Sequence, residues 1–125
     1  MNEQTFHAEV WMPEGVAVRA RSFAKNVRYT RHALEQAQED RYAKIVGLPG
    51  FVDVSQWSVL EVTLAGNEVV KVVIRRPSTA RMDLDLVLAV RFDNNDARVV
   101  TCWHNRANDR HRSLNRANYV QAPKN

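Results

Sequence analysis

The sequence predicts an α+β fold in which one main helix packs on an antiparallel sheet of four to six strands. Two observations predict it. Residues 31–46 contain no glycine or proline and follow Thr30, a residue suited to the N-cap of a helix. Between residues 60 and 103, four segments alternate apolar and polar side chains and are joined by short links, which is typical of an antiparallel meander.

Ahead of the helix, the pattern predicts a β-hairpin. Residues 5–12 alternate, with Phe6 and Val10 on one side and Trp11 on the other. Pro13-Glu14-Gly15 is typical of a turn, so residues 16–23 are expected to form the returning strand.

The helix has one apolar stripe, formed by Ala33, Leu34, Ala37 and Ile45. Arg41 falls within this stripe, and we expect its aliphatic stem to lie on the core with its guanidinium group at the edge. The helix is expected to end before the breaker cluster Gly47-Leu48-Pro49-Gly50.

The four meander strands each carry an apolar set on one face. These sets are Leu60, Val62 and Leu64; Val70, Val72 and Ile74; Leu84, Leu86, Leu88, Val90 and Phe92; and part of Val99–Trp103. If they face the helix, the opposite face carries Glu61, Thr63, Lys71, Arg75, Asp85 and Arg91. The last strand has two possible registers: one adds Thr101 and Trp103 to this open face, and the other adds His104.

Composition indicates one ordinary globular domain spanning 1–125, since 45% of the 125 residues are hydrophobic and 26% are charged. Residues 106–125 form a basic C-terminal tail, and the sequence leaves open whether it folds onto the sheet. No apolar run approaches the ~20 residues of a membrane span, so no membrane association is expected. The single cysteine, Cys102, excludes an internal disulfide, and with a polar N-terminus it favours a cytoplasmic location.

Positive charge is concentrated in two segments, although the net charge is only +4. Residues 19–31 hold five basic side chains and no acidic one, while residues 98–125 hold six basic side chains against Asp109 alone. Such patches steer anionic partners and neutralise phosphates, so RNA or another nucleic acid is the expected partner. Basic loops that only keep the protein soluble are the alternative.

The end of the last strand is the most informative region for function. It brings His104, Asn105 and Arg106 close in sequence to Arg110, His111 and Arg112. His111 lies in a polar segment, and His32 lies in the first helical turn, where the positive helix end favours its neutral form. The candidate catalytic residues are therefore His111, His32, Arg75 and Thr101. The candidate nucleic-acid-binding residues are Lys71, Arg91, Trp103, Asn105, Arg106, Arg110 and Arg112.

Each of these residues also has an ordinary interpretation. Arg75 or Lys71 could pair across strands with Glu61 or Asp85, and the histidines could be exposed surface groups. Four scattered histidines and one cysteine give no zinc spacing, and no glycine-rich phosphate-binding loop is present. The sequence thus predicts no metal and no cofactor, and any catalysis is expected to be acid–base chemistry.

A helix that begins Tyr29-Thr30-Arg31-His32-Ala33-Leu34, followed by a meander that ends Val100-Thr101-Cys102-Trp103, resembles small RelE/ParE-like proteins. More broadly, residues 28–113 are similar to the barnase–EndoU–colicin–RelE group of ribonuclease toxins. The resemblance implies metal-independent RNA cleavage on the open face, with His32, Thr101 and Arg75 at matching positions. The N-terminal hairpin and the segment Asp109-Arg110-His111-Arg112-Ser113-Leu114 depart from the common pattern.

Two functions follow as expectations. The first is a toxin-like RNA endonuclease in which the RNA's own 2′-hydroxyl attacks phosphorus, activated by His111 or His32. The second is a non-catalytic accessory protein, of phage or mobile-element type, that binds nucleic acid or an acidic protein through its basic patches. A neutralising or target protein is a further possible partner, and an assembly or scaffolding subunit is a third possibility.

Overall fold

A computed structural model of the protein describes residues 2–109 and 114–124. These residues form two helices, α1 (Glu14–Arg21) and α2 (Arg31–Gln38). The strands are β1 (Glu3–His7), β2 (Ala24–Asn26), β3 (Arg28–Tyr29), β4 (Phe51–Asp53), β5 (Ser58–Ala65), β6 (Glu68–Pro77), β7 (Leu84–Asp93) and β8 (Asp96–Arg106). Short 3-10 turns span Val54–Gln56 and Arg116–Asn118.

The predicted α+β class and the meander are confirmed. Strands β5 to β8 are consecutive antiparallel neighbours in a six-stranded sheet of order β1-β5-β6-β7-β8-β3. Strand β1 extends this sheet antiparallel to β5, whereas the two-residue strand β3 runs parallel to β8. Strands β2 and β4 form a separate small sheet.

The predicted N-terminal hairpin is wrong, because residues 14–21 form a helix instead of a returning strand. The buried side chains of this segment are Val16, Ala17 and Ala20, which follow the helical spacing and not the alternation of a strand. Pro13 immediately precedes the helix, where its fixed φ is tolerated and its carbonyl accepts the N–H groups of Val16 and Ala17.

The main helix is shorter than predicted and ends at Gln38, although its N-cap is Thr30 as expected. The chain leaves the helix at Asp40, whose carboxylate accepts the N–H groups of Tyr42 and Ala43 and so replaces helical hydrogen bonds. Ile45 still reaches the core, but Arg41 is exposed and lies over the Tyr42 ring, contrary to its predicted place on the helix stripe.

Both helices pack on one face of the large sheet, where the main core lies. Its fully buried sheet members include Val62, Val72, Ile74, Leu88 and Val90, packed with Val16 and Ala20 of α1 and Ala33 and Ala37 of α2. The opposite, open face carries a smaller apolar cluster of Val73, Val87 and Ala89, flanked by Leu60, Val100 and Trp103. In the part of the chain that the structure describes, no helix is long and apolar enough to span a bilayer.

Candidate functional site

The strand register arranges the open face in rows that cross the sheet. The first row is Thr5, Thr63, Lys71 and Arg91; the second is His7, Glu61, Val73, Ala89 and Thr101; the third is Arg75, Val87 and Trp103; and the fourth is Asp85 and Asn105. Directly opposed residues in a row are ~4.5–5.5 Å apart, and successive rows are about 7 Å apart. Imidazole, carboxylate, ammonium and guanidinium groups therefore share one face beside an apolar patch.

The last strand resolves the two registers left open by the sequence. Cys102 and His104 point to the helix side and are 0% and 1% exposed, respectively, whereas Trp103 is half-buried against the open-face cluster. A β-bulge at Val100 turns this residue to the open face as well.

His7, Glu61 and Tyr119 form a titratable cluster at the β1 side of the open face. His7 is 2% exposed and its ring lies edge-on to Tyr119, with 4.9 Å between ring centroids. Nδ1 of His7 accepts the Glu9 N–H at 3.0 Å, which favours the neutral tautomer with its proton on Nε2. Burial, together with the charge and hydrogen bond of Glu61, raises the pKa of the Tyr119 hydroxyl.

Arg75 lies in the third row of the open face and contacts the backbone at the start of the tail. Its Nε donates to Oδ2 of Asp85 at 2.7 Å, and Nη2 reaches the carbonyl oxygens of Arg106 and Ala107 at 3.4 and 3.3 Å. The cross-strand ion pair with Asp85 is the ordinary interpretation of this residue, and it holds the guanidinium group rigidly on the open face.

Two other cations share the face. Arg91 is paired with Glu3, which lies three strands away across the sheet. Lys71 is half-buried between Thr63 and Arg91 and has no acidic partner among residues 2–109 and 114–124. Lys71 is therefore the cation of this face most available to a phosphate.

The remaining predicted site residues do not all lie on this face. His32 is exposed on the first turn of α2, in the helix layer on the other side of the sheet from Arg75. The Thr101 hydroxyl donates to Oε1 of Gln36 on α2, so it is engaged at the edge of β8. Asn105 is 9% exposed, and Arg106 is exposed with its guanidinium group 5.9 Å from the centre of the Tyr42 ring.

Arg110, His111 and Arg112 lie outside the described residues. The described residues that precede and follow them in sequence lie near Glu9 and β1. Ala107, Asn108 and Asp109 line a groove with Glu9. After the gap, Arg116 donates to the Glu9 carbonyl at 3.0 Å. The Val120 N–H then donates to the Thr5 carbonyl at 3.0 Å, so the described part of the tail lies on β1.

A second buried histidine was given no role by the sequence. His104 Nε2 is 2.9 Å from the Ser78 hydroxyl, and Nδ1 is 3.1 Å from the Ala43 carbonyl and 3.3 Å from Oδ2 of Asp40. Ser78 accepts the Ala80 N–H, so its hydroxyl is set to donate to Nε2. The order hydroxyl–imidazole–carboxylate is that of a nucleophile and its base.

The surroundings of His104 favour a structural role for this chain of hydrogen bonds. Both ring nitrogens are engaged, the Asp40 side chain is only 4% exposed, and Oδ1 of Asp40 also accepts the His104 N–H at 2.9 Å. The network joins the loop after α2, the β6–β7 loop and β8. The Ala80 N–H, a natural donor for a developing oxyanion, is already bound to the Ser78 hydroxyl.

Sequence reasoning missed His7, Glu61 and Tyr119 as a group because they come from separate parts of the chain. The alternation of residues 5–7 places Thr5 and His7 on one face, and the alternation of residues 60–64 places Glu61 on the open face, but neither pattern brings the two together. Their partners depend on the pairing of β1 with β5 and on the return of the tail.

Among residues 2–109 and 114–124, no three His, Cys, Asp or Glu side chains converge as a metal-binding group would. Cys102 is a free, buried thiol whose pKa is raised to about 11 by burial and by the nearby Asp40 charge. A scan against protein-family models and searches of curated proteins and of solved structures found no match to this chain.

Proposed function

We propose that the protein binds RNA on the open face of its sheet and cleaves it by metal-independent acid–base chemistry. The observation that carries this proposal is the row that sets His7 beside Glu61, between the rows of Lys71 and Arg75. RNA cleavage by the 2′-hydroxyl moves a phosphoryl group from the 5′-oxygen to the neighbouring 2′-oxygen. This reaction requires a base, a proton donor and cations that stabilise negative charge, and these kinds of group lie within a few strands of one another. We place this activity in the cytoplasm, where a free thiol such as Cys102 persists.

In this proposal Glu61 is the general base. Glu61 helps to raise the pKa of the nearby Tyr119 hydroxyl, so a hydroxyl group lies beside this carboxylate on the open face. A ribose 2′-hydroxyl takes that position, transfers its proton to Glu61 and attacks the adjacent phosphorus. The bond from phosphorus to the 5′-oxygen breaks, which leaves a 2′,3′-cyclic phosphate and a 5′-hydroxyl.

The other groups stabilise charge and supply the second proton. Lys71 and Arg75 face the negative charge that develops on the phosphorane, and the Trp103 ring offers a surface for a base. His111 is our candidate for the acid that protonates the leaving 5′-oxygen, because imidazole is the side chain that can give up a proton near neutral pH. His32 has no part in this scheme, because it belongs to the helix layer.

The direct test incubates purified protein with single-stranded RNA in excess EDTA. We expect cleavage by the wild-type protein and a loss of about 100-fold or more in rate for Glu61→Gln and for His111→Ala. Glu39→Gln and His32→Ala are matched controls, since both residues are exposed in or beside α2, and each should cleave as the wild type does. Equal activity of Glu61→Gln and Glu39→Gln contradicts the assignment of the base.

A non-catalytic RNA-binding protein is the second candidate function. Two observations favour it: Arg75 and Arg91 are held in ion pairs, and His7 is 2% exposed beneath the tail. This candidate gains support if intact RNA is recovered at high protein concentration while Lys71→Gln weakens RNA binding and lowers the slope of log affinity against log salt by about 1.

A further inference from the structure

A second basic region lies away from the open-face cluster, around the turn that follows β7. A groove of about 810 Å³ runs between α1, the β5–β6 turn and the β7–β8 turn. Its lining includes Arg19, Lys25, Phe23, Phe92, Asn67 and Asn94. The volume is within the ~300–1,000 Å³ typical of small-molecule sites, so it can hold a nucleotide.

The charges of the basic segment, residues 19–31, are not equally available. Arg21 is paired with Glu14, Arg28 with Asp96, and Arg31 with Glu35. Arg28 binding lowers the pKa of the Asp96 carboxyl, as expected for a group kept ionised by its partner. These three arginines are therefore largely neutralised by neighbouring acids.

Arg19 and Lys25 are the two members of this segment that have no acidic partner in the described part of the chain, and both line the groove. Arg19 donates from Nη1 to the Asn67 carbonyl at 2.6 Å, which fixes the guanidinium group at the rim and leaves its other N–H groups for a ligand. The groove also contains one carboxylate, Glu68, so its lining is net positive.

An aromatic surface lies beside these cations. The rings of Phe23 and Phe92 are stacked, with centroids 4.3 Å apart and planes 18° apart, and both are half-buried. Both rings line the groove, where a nucleobase can contact them, and the exposed amides of Asn94 and Asn95 can hydrogen-bond the edge of that base.

We infer that this groove is a binding site for single-stranded nucleic acid, with a base on the Phe23–Phe92 pair and its phosphates at Arg19 and Lys25. Single strands suit the site because an unpaired base exposes the ring face that stacking needs. Double-stranded nucleic acid would offer phosphates but no free base. The site is separate from the open-face residues and does not depend on cleavage there.

The test measures fluorescence anisotropy of a labelled 2′-O-methyl oligouridylate, a probe whose blocked 2′-oxygens prevent cleavage. Lys25→Gln and Arg19→Gln should each weaken binding by about 3- to 10-fold and lower the salt slope by about 1. Phe92→Leu keeps an apolar side chain in the core contact but removes the ring, and it should weaken binding by about 5-fold or more.

Arg31→Gln is the matched control, since Arg31 belongs to the same segment but is paired with Glu35 on the exposed side of α2. It should bind as the wild type does, and a duplex of the probe with its complement should bind more weakly than the single strand. Wild-type affinity in both Lys25→Gln and Phe92→Leu, or equal affinity for single strand and duplex, overturns the inference. Far-ultraviolet circular dichroism establishes that each variant is folded.

The outcome is distinguishable from that of the cleavage proposal. The groove residues Phe23 and Phe92 pack on the helix side of the sheet, whereas Glu61 lies on the open face. Lys25→Gln should therefore cleave a dinucleotide substrate at the wild-type rate even where a long RNA binds more weakly. Loss of cleavage in Glu61→Gln with unchanged binding of the 2′-O-methyl probe would support the cleavage proposal alone. Weaker probe binding in Lys25→Gln with unchanged dinucleotide cleavage would support the groove alone.

Discussion

His7 and His104 lie in the same sheet and are almost equally buried, at 2% and 1% exposure, but their surroundings differ. His104 faces the helix side, and its two ring nitrogens lie within hydrogen-bond distance of the Ser78 hydroxyl in the β6–β7 loop and the Ala43 carbonyl in the loop after α2. His7 faces the open side, where it is covered by the tail residue Tyr119 and lies beside Glu61.

The comparison shows that two equally buried histidines can have quite different partners. The partners of His104 stabilise the fold, since the Asp40 carboxylate also accepts three backbone N–H groups. The neighbours of His7 are the Glu61 carboxylate and the Tyr119 phenol, which lie on the open face. We therefore expect substitutions at the first site to change stability and substitutions at the second to change accessibility and chemistry.

The largest expected effect is on stability. His104→Ala should lower the free energy of unfolding by about 3 kcal/mol, because it leaves the buried Asp40 carboxylate and Ser78 without their imidazole partner. Urea unfolding followed by circular dichroism measures the loss. His32→Ala, an exposed histidine, should stay within about 0.5 kcal/mol of the wild type. An equal effect of both substitutions would remove the contrast between the two sites.

Next in size is the effect of the tail on His7. Tyr119→Ala removes the ring that covers His7 and should raise the rate of its modification by diethyl pyrocarbonate by about 10-fold, because local opening then exposes the imidazole. Peptide mass spectrometry gives the rate at each histidine. His104 should stay protected in the same variant, and Tyr119→Phe, which keeps the ring, should protect His7 nearly as well as the wild type does.

A smaller effect is expected from alkaline pH. The pKa of Tyr119 is raised in the folded state, so its neutral hydroxyl stabilises the tail contact fully below the ordinary pKa of about 10. That contribution is lost as the pH rises through the folded-state pKa, where phenolate and the Glu61 carboxylate repel. The loss of the tail contact is measured as the hydrogen-exchange rate of the Val120 N–H against pH, compared between the wild type and Tyr119→Phe. Identical pH dependence in the two proteins would exclude this contact as the cause.

The smallest effect concerns the thiol on the helix side. Cys102 is 0% exposed, its sulfur lies 3.3 Å from the Ala33 carbonyl, and its pKa is raised to about 11. Because the thiolate is the reactive form, iodoacetamide at pH 8 should label the native protein slowly and the urea-unfolded protein readily. Rapid labelling of the native protein would show that the edge of β8 beside α2 opens more easily than its packing indicates.

The meander could be predicted from the sequence because each strand has its own alternating pattern and short turns join neighbours. Helix α1 could not, since Val16 and Val18 mimic a strand and only packing against β5 and β6 selects the helical face. The end of α2 could not be predicted either, because Asp40 is tolerated in a helix. Here its carboxylate instead accepts a backbone N–H group of the following loop.

Much of the candidate site could not be predicted from local sequence patterns, because it depends on contacts between distant parts of the chain. Alternation correctly placed Lys71, Arg75 and Arg91 on one face, but their acidic partners were only partly predictable. Arg75 pairs with a neighbour on the next strand, whereas Arg91 reaches Glu3 of the terminal strand. The position of His7 beside Glu61 depends on β1 choosing β5 as its partner, which no local signal specifies.

The most direct measurement is the chemistry of the RNA ends after incubation in EDTA. A single-stranded RNA with one 2′-deoxy position should be cut by the wild-type protein at its ribose positions and left intact at the deoxy position. Mass spectrometry should find 2′,3′-cyclic phosphate and 5′-hydroxyl ends that Glu61→Gln fails to produce. Intact RNA, cutting at the deoxy position, or equal products from wild type and Glu61→Gln would contradict an acid–base site on the open face.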